Sequence, residues 1–254
     1  MQIVNVQNIG SWMKQEYIIR EDGNRGVVLM FGGWGSGPEL FGCYAVPAGY
    51  DFILCYDYRE MDFDYSILDG YSKVRLVAWS MGVWAAGHVF GSGKDARNAL
   101  AGSPVWESRI AIGGTPFPID DSMGIPVNIF AGTLENLSEI TLAKFRRRMC
   151  GPEMGHFMEH LPGRGLDELR DELDSIGKAV AACPCDSGFG WDMAVIGGSD
   201  MIFPPQNQKN AWENLGVELH EAEDARHYEP SIFKFVLSLP ADVVAGGDGW
   251  IREK

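Results

Sequence analysis

The sequence predicts an α/β fold built on a doubly wound, mostly parallel sheet, and three observations carry that prediction. Short, largely apolar runs (Val27–Phe31, Phe52–Tyr56, Val74–Trp79, Arg109–Ile112 and Met193–Ile196) recur along the chain and a more polar last strand, Val217–Ala222, follows them, with helix-length stretches between most of them. The first run is followed at once by the glycine-rich segment Gly32-Gly33-Trp34-Gly35-Ser36-Gly37-Pro38. The third breaks at Ser80 and Gly82 and continues in helix-forming residues, giving strand, sharp turn and helix in immediate succession. A chain of 254 residues fits one such domain, spanning 1–254 and carrying an insertion. It should bury about 70 to 75% of its unfolded surface.

Taken in order, Glu16 to Glu21 alternates weakly, Asp22-Gly23 signals a turn and Val27–Phe31 follows, so a hairpin leading into a buried strand is expected. The glycine run after it cannot be laid on Gly-x-Gly-x-x-Gly. Lys94 in Gly93-Lys94-Asp95 lacks the Ser/Thr and the upstream Gly of a P-loop, so no nucleotide site is expected. Such a loop does suit a backbone N–H that must approach a reacting carbonyl closely. Phe52–Tyr56 is the next buried strand and ends at Asp57; Val74–Trp79 leads into a helix to about Phe90, and 91–101 reads as a loop or short broken helix. Arg109–Ile112 is a strand from which the Pro- and Gly-rich run 113–126 departs.

Between about 115 and 186 the pattern changes to amphipathic helices, which reads as a helical cap insertion over the active edge of the sheet. Ser138 caps a helix with Leu142, Phe145 and Met149 on one face, Glu139 in its first turn and Gly151 past its end. Lys144, Arg146, Arg147 and Arg148 lie near its C-terminus. They either compensate the helix dipole or offer a docking patch to an acidic partner, and the helix alone does not choose. A second helix carries Leu166, Leu169, Leu173, Ile176 and Val180. Strand 193–196, a helix over about 206–214, strand 217–222, a loop through Asp224 to Tyr228 and a last helix over 230–239 follow, and 240–254 reads as a flexible tail.

Composition excludes some functions. A net charge of -14 argues against general nucleic-acid binding and against an electrostatic anchor on anionic lipid. No apolar stretch approaches the roughly 20 residues needed to span a bilayer, and the first 20 residues lack the plan of a signal peptide, so a cytoplasmic protein is expected. Five cysteines at irregular spacing form no disulfide framework. Cys183-Pro184-Cys185, the one close pair, lacks the spacing and the further ligands of a zinc or redox site.

The strand-turn-helix around Ser80 has the architecture of a nucleophile elbow, with Ala78 in the place of the first glycine of Gly-x-Ser-x-Gly. The bland alternative is a buried turn serine before an ordinary helix. A serine hydroxyl becomes nucleophilic when a neutral imidazole accepts its proton, and the imidazole needs an acceptor on its other nitrogen. In α/β-hydrolases these partners follow the serine as acid and then histidine, each after a late strand, and Asp200 and His227 occupy those places. Asp57 is the reserve acid, and Asp224 is nearly adjacent to the histidine. His88 on the elbow helix and His220 within a strand are poorly placed. His156-x-x-Glu159-His160 is nominally an inverted zinc-protease motif, but Gly155 and Pro162 bracket a segment too short for the helix it needs, so no metal is expected. Backbone N–H groups of Trp34 and Met81 are the expected oxyanion donors.

Phe31-Gly32-Gly33-Trp34-Gly35, Cys55-Tyr56-Asp57-Tyr58, Val77-Ala78-Trp79-Ser80-Met81-Gly82-Val83-Trp84, Gly132-Thr133-Leu134-Glu135-Asn136-Leu137 and Ser199-Asp200 with Ile202-Phe203 are all present. On these the chain resembles the BioG-type pimeloyl-[acyl-carrier-protein] methyl ester esterases of biotin synthesis, over about residues 27 to 235. The resemblance implies an α/β-hydrolase that needs no cofactor. Ser80 would attack the methyl ester of a pimeloyl chain held on acyl carrier protein, and His227 would pass the proton to leaving methanol. It also favours carrier docking for the basic cluster, because acyl carrier protein is acidic. Competing readings are a general carboxylesterase or acyl thioesterase and, in another class, a catalytically silent binding protein.

Overall fold

The computed structural model describes residues 13–91, 104–183 and 188–239. Its centre is one seven-stranded sheet in the order β1-β3-β2-β4-β5-β6-β7, formed by β1 (Lys14–Ile19), β2 (Gly26–Phe31), β3 (Tyr50–Tyr56), β4 (Lys73–Trp79), β5 (Val105–Ile112), β6 (Met193–Gly197) and β7 (Glu218–Ala222). Every pairing is parallel except β1 with β3. β2 and β3 are buried at every position, as strands covered on both faces must be, which is why their sequences run apolar without alternating. The expected α/β class and parallel sheet are what the chain adopts.

The expected hairpin is not. Gly23 does make a turn, with φ +90, but β1 pairs with β3 (Gln15↔Cys55, Tyr17↔Ile53), not with β2. Both edges of β2 are taken by parallel partners, Phe52 and Arg75 lying opposite Val28. A central strand has no edge to offer its sequence neighbour. β1, whose first four residues alternate between exposed and half-buried, suits the sheet margin.

The chain leaves β2 toward one side of the sheet and places β4 on the other. This reversal opens a crevice at the carboxyl ends of β2 and β4, the usual ligand position in open α/β sheets. Two non-glycine residues among those described have positive φ, and each ends a central strand: Asp57 after β3 (φ 64) and Ser80 after β4 (φ 59). Helices α1 (Pro38–Phe41) and α2 (Met81–Phe90) follow β2 and β4, while α7 (Pro205–Leu215) and α8 (Pro230–Ser238) follow β6 and β7.

Four helices lie between β5 and β6: α3 (Val127–Glu135), α4 (Glu139–Cys150), α5 (Met154–Glu159) and α6 (Leu166–Ala182). Two of them match the sequence pattern. Ser138 caps α4 reciprocally with Thr141, Leu142 and Met149 are buried, and Gly151 closes it with φ 54. Leu169, Leu173, Ile176 and Val180 form the buried face of α6. The other two are additions. β-branched Val127, Ile129 and Thr133 together with Gly132 weaken helix propensity in α3. α5 continues the 3-10 turn Gly151–Glu153 and is held by buried Phe157, whose ring meets Tyr228 edge to face at 5.3 Å, so tertiary packing supplies what its length does not. Most of the 91–101 segment with Lys94, the Pro184-Cys185 dipeptide and the tail 240–254 lie outside the described residues. Among the described residues, no helix is long and apolar enough to cross a membrane.

Candidate active site

Ser80 stands between β4 and α2 with φ 59 and ψ -128, a backbone conformation that strains a residue with a Cβ. Its neighbours hold it there. The Ser80 N–H donates to the Ile112 carbonyl at 2.9 Å. A Cβ on Gly82 would stand 2.3 Å from the Phe31 carbonyl oxygen, and one on Gly114 would stand 2.3 Å from that of Ser80. Both close approaches need glycine. The strain lifts the hydroxyl from the end of the sheet, while the N-terminus of α2 points toward it.

His227 comes from the loop after β7 and Asp200 from the loop after β6. His227 Nε2 lies 2.9 Å from Ser80 Oγ, and its Nδ1 lies 2.8 Å from Asp200 Oδ2. The three residues are 6%, 3% and 5% exposed for Ser80, His227 and Asp200, so the chain of hydrogen bonds is shielded from competing water. An ionised carboxylate only accepts, so the imidazole proton sits on Nδ1 and the Nε2 lone pair faces the serine hydroxyl. Asp200 is fixed in turn: Oδ1 accepts from the N–H groups of Ile202 and Phe203 at 2.7 and 3.0 Å, and Oδ2 accepts from Gln208 Nε2 at 3.1 Å. Phe203 stacks on the imidazole with an interplanar angle of 7°, and Trp79 Nε1 donates to the His227 carbonyl at 3.0 Å. Gln208 had no distinguishing sequence signal. It is a polar residue of α7 that proves wholly buried.

The glycine segment after β2 is braced from across the chain. Glu172 of α6, fully buried, accepts from Gly35 N–H at 3.1 Å and from Tyr58 N–H at 3.0 Å, and pairs with Arg164 at 2.7 Å. Trp34 Nε1 donates to the Leu169 carbonyl at 2.7 Å, and Tyr58 Oη donates to the Gly32 carbonyl at 2.7 Å. Burial pushes the Glu172 carboxyl up, and Arg164 with the two N–H groups pulls the other way. Trp34 and Met81, the expected oxyanion donors, line with Ser80 and His227 a narrow cavity of about 40 Å³. Phe130, Phe145 and Leu173 supply apolar wall.

Ile129, Thr133, Phe145, Arg148 and Met201 are shared between this cavity and a wider groove of about 660 Å³. Lys144, Arg147, Arg148 and Arg226 line that groove. Arg146, expected to join them, is half-buried and lines a different, smaller pocket beside Trp34 and Phe157, its guanidinium 5.9 Å from the Phe157 ring centroid. The helix turns it away from the other three.

The reserve acid is occupied elsewhere. Asp57 pairs with Arg59 at 2.6 Å and with Lys14 and Arg164 at 3.1 Å each. Burial alone would raise its carboxyl, but these cations outweigh it and bring the group down to about 2. Asp224 is exposed, and His88 and His220 lie on α2 and β7. Among the described residues, one group of three His, Cys, Asp or Glu side chains is spaced for a metal ion: Cys43, His156 and His160.

A family model described as pimeloyl-ACP methyl esterase BioG matches residues 13–236. The chain is 46% identical over 216 residues to the malonyl-[acyl-carrier protein] O-methyltransferase of Bacteroides fragilis (strain 638R), a match covering 84% of this chain. It spans only 42% of that protein's length. The crystal structure of BioG from Haemophilus influenzae is similar with a TM-score of 0.76 and 34% identity, covering 87% of this chain and 97% of that one. A lipase-esterase related protein from Clostridium acetobutylicum shares the fold at a TM-score of 0.58 and 14% identity, covering 92% and 97% of the two chains.

Proposed function

The chain belongs to the pimeloyl-ACP methyl esterase BioG family, and on that premise we propose that it hydrolyses the methyl ester of a pimeloyl chain carried on acyl carrier protein. The observation that carries this reading is the unbroken hydrogen-bond chain from Ser80 Oγ through His227 to Asp200, at 2.9 and 2.8 Å, beside an apolar cavity that meets a basic groove. Ser80 Oγ attacks the ester carbonyl carbon and its proton moves to His227 Nε2. The tetrahedral oxyanion is held by the N–H groups of Trp34 and Met81. Collapse breaks the bond to the methoxy oxygen, His227 returns the proton, and methanol leaves. Water, deprotonated by the same imidazole, then releases the free carboxylate and regenerates Ser80.

Asp200 acts throughout as orienter and counter-charge, and Gln208 donates to the carboxylate oxygen that faces His227. The groove walled by Lys144, Arg147, Arg148 and Arg226 suits an acidic carrier, giving a chain of net charge -14 a local attraction. The test is release of methanol from methyl-pimeloyl carrier protein, with Ser80→Ala as control. Covalent labelling of Ser80 by an organophosphonate separates a working hydrolase from a silent fold. A panel of short esters and thioesters separates a carrier-directed esterase from a general one. No methanol from the wild-type protein, with labelling intact, would move the reading to a general esterase.

A further inference from the structure

We propose that Cys43, His156 and His160 form a binding site for a borderline-soft divalent cation, zinc foremost, separate from the ester-cleaving centre. One ligand atom from each lies within 4.8 Å of the others, although the three come from two distant parts of the chain. Cys43 follows α1, His156 lies in α5 and His160 is the C-cap of that helix. The four-residue spacing brings both imidazoles to one face, and their ring centroids are 4.5 Å apart.

Each imidazole has a polar partner on Nδ1. His160 Nδ1 is 2.9 Å from the carbonyl oxygen of His156, and a carbonyl only accepts, so the proton is on Nδ1 and Nε2 carries a lone pair. His156 Nδ1 is 2.9 Å from Tyr228 Oη, and with the phenol oxygen as acceptor the proton is on Nδ1 and Nε2 is left to coordinate. Metal-binding histidines are typically oriented this way, by a polar partner on the nitrogen that does not coordinate.

One thiolate and two imidazoles are the donors that zinc and cobalt(II) select and that magnesium and calcium do not. Tetrahedral zinc, with bonds of about 2.0 to 2.3 Å, draws its ligands to roughly 3.5 Å of one another. An exposed cysteine and two half-exposed histidines can close that remaining distance by side-chain rotation. As the sulfur–metal bond forms, the Cys43 proton passes to solvent. Three protein ligands leave a fourth position for water. Glu159 is exposed and takes no part, so the site is not the zinc-protease arrangement that the His-x-x-Glu-His spacing suggests. Occupancy would fasten the segment after α1 to α5, and through His156 would bear on Tyr228, the neighbour of His227.

The experiment is a cobalt(II) titration of the full chain, followed by absorption and by competition with zinc. The expected result is one cobalt per chain, with the strong visible bands of a tetrahedral site and a thiolate-to-cobalt charge-transfer band. Cys43→Ser should abolish the charge-transfer band. His160→Asn should raise Kd at least tenfold. Zinc should raise the Tm of the wild-type protein and leave that of Cys43→Ser in place. The weak spectrum of the hydrated ion in the wild-type protein would overturn the proposal. So would a charge-transfer band that survives in Cys43→Ser, or a His160→Asn variant that binds as tightly as wild type.

Discussion

The strand ends and the four helices between β5 and β6 meet at Ser80 but are built differently. At the strand ends each functional group is locked by several partners: Ser80 by its strained turn and two glycine contacts, Asp200 by three donors besides the imidazole, His227 by a stacked ring and a carbonyl contact. On the helical side α6 is tied in through Glu172 and Trp34, whereas Lys144, Arg147 and Arg148 project from α4 into solvent. Chemistry requires positions held to fractions of an ångström, and strand termini provide that. Recognition of a large acidic partner requires accessible charge, which a solvated helix face provides.

The sharpest way to break this contrast is at its fixed end. Ser80→Ala is expected to lower kcat for ester hydrolysis by at least about a thousandfold with Tm nearly unchanged, measured on a soluble ester and by thermal melting. Glu172→Gln tests whether the helical side also serves the fixed end. Removing the charge leaves Arg164 with Asp57 as its one remaining carboxylate partner and puts an amide against two N–H donors. A fall of about a hundredfold in kcat with little change in KM is expected, with a lowered Tm. A KM effect alone would mean that the brace shapes binding rather than the glycine loop.

Charge reversal at Lys144 and Arg147, which line the groove and not the cavity beside Ser80, should reduce kcat/KM on carrier-bound substrate by about tenfold at low salt, fade as ionic strength rises, and spare a small soluble ester. Equal loss on both substrates would remove the docking role. Arg146→Glu, which would bury a charge beside Phe157, should instead lower Tm. The smallest effect is at acid pH. The Asp57 carboxyl titrates in the folded chain near 2, below its ordinary value near 4. Its contribution is therefore complete above about pH 4 and is lost as pH falls toward 2. Melting curves of wild type and Asp57→Asn should converge over that window and stay apart above it.

Much of the fold is legible because the central parallel strands, β2 and β3 above all, announce themselves as apolar runs, and the elbow because Ser80 and Gly82 break the chain at the end of β4. What is not legible depends on long-range pairing. Nothing near Asp22-Gly23 tells that β1 will join β3, since the partner of an edge strand is decided by which edge is vacant. α3 is hidden by Gly132 and its β-branched residues, and α5 by its length. Asp200 and His227 can be singled out by their place after late strands. Gln208 cannot, because a buried glutamine reads like any polar helix residue. Glu172 falls on the apolar stripe of α6 yet contacts Gly35, 137 positions earlier in the chain, so only coordinates reveal that it faces inward. Cys43 likewise has no pattern connecting it to the two histidines.

The tie between α6 and the glycine segment has a consequence for how molecules come and go. One helix both walls the cavity, through Leu173, and carries the carboxylate on which the segment beside Ser80 hangs. Swinging that helix outward would slacken the backbone to which the proposed reaction gives the oxyanion. α6 is therefore a fixed wall of the cavity, tied at one end to the segment beside Ser80.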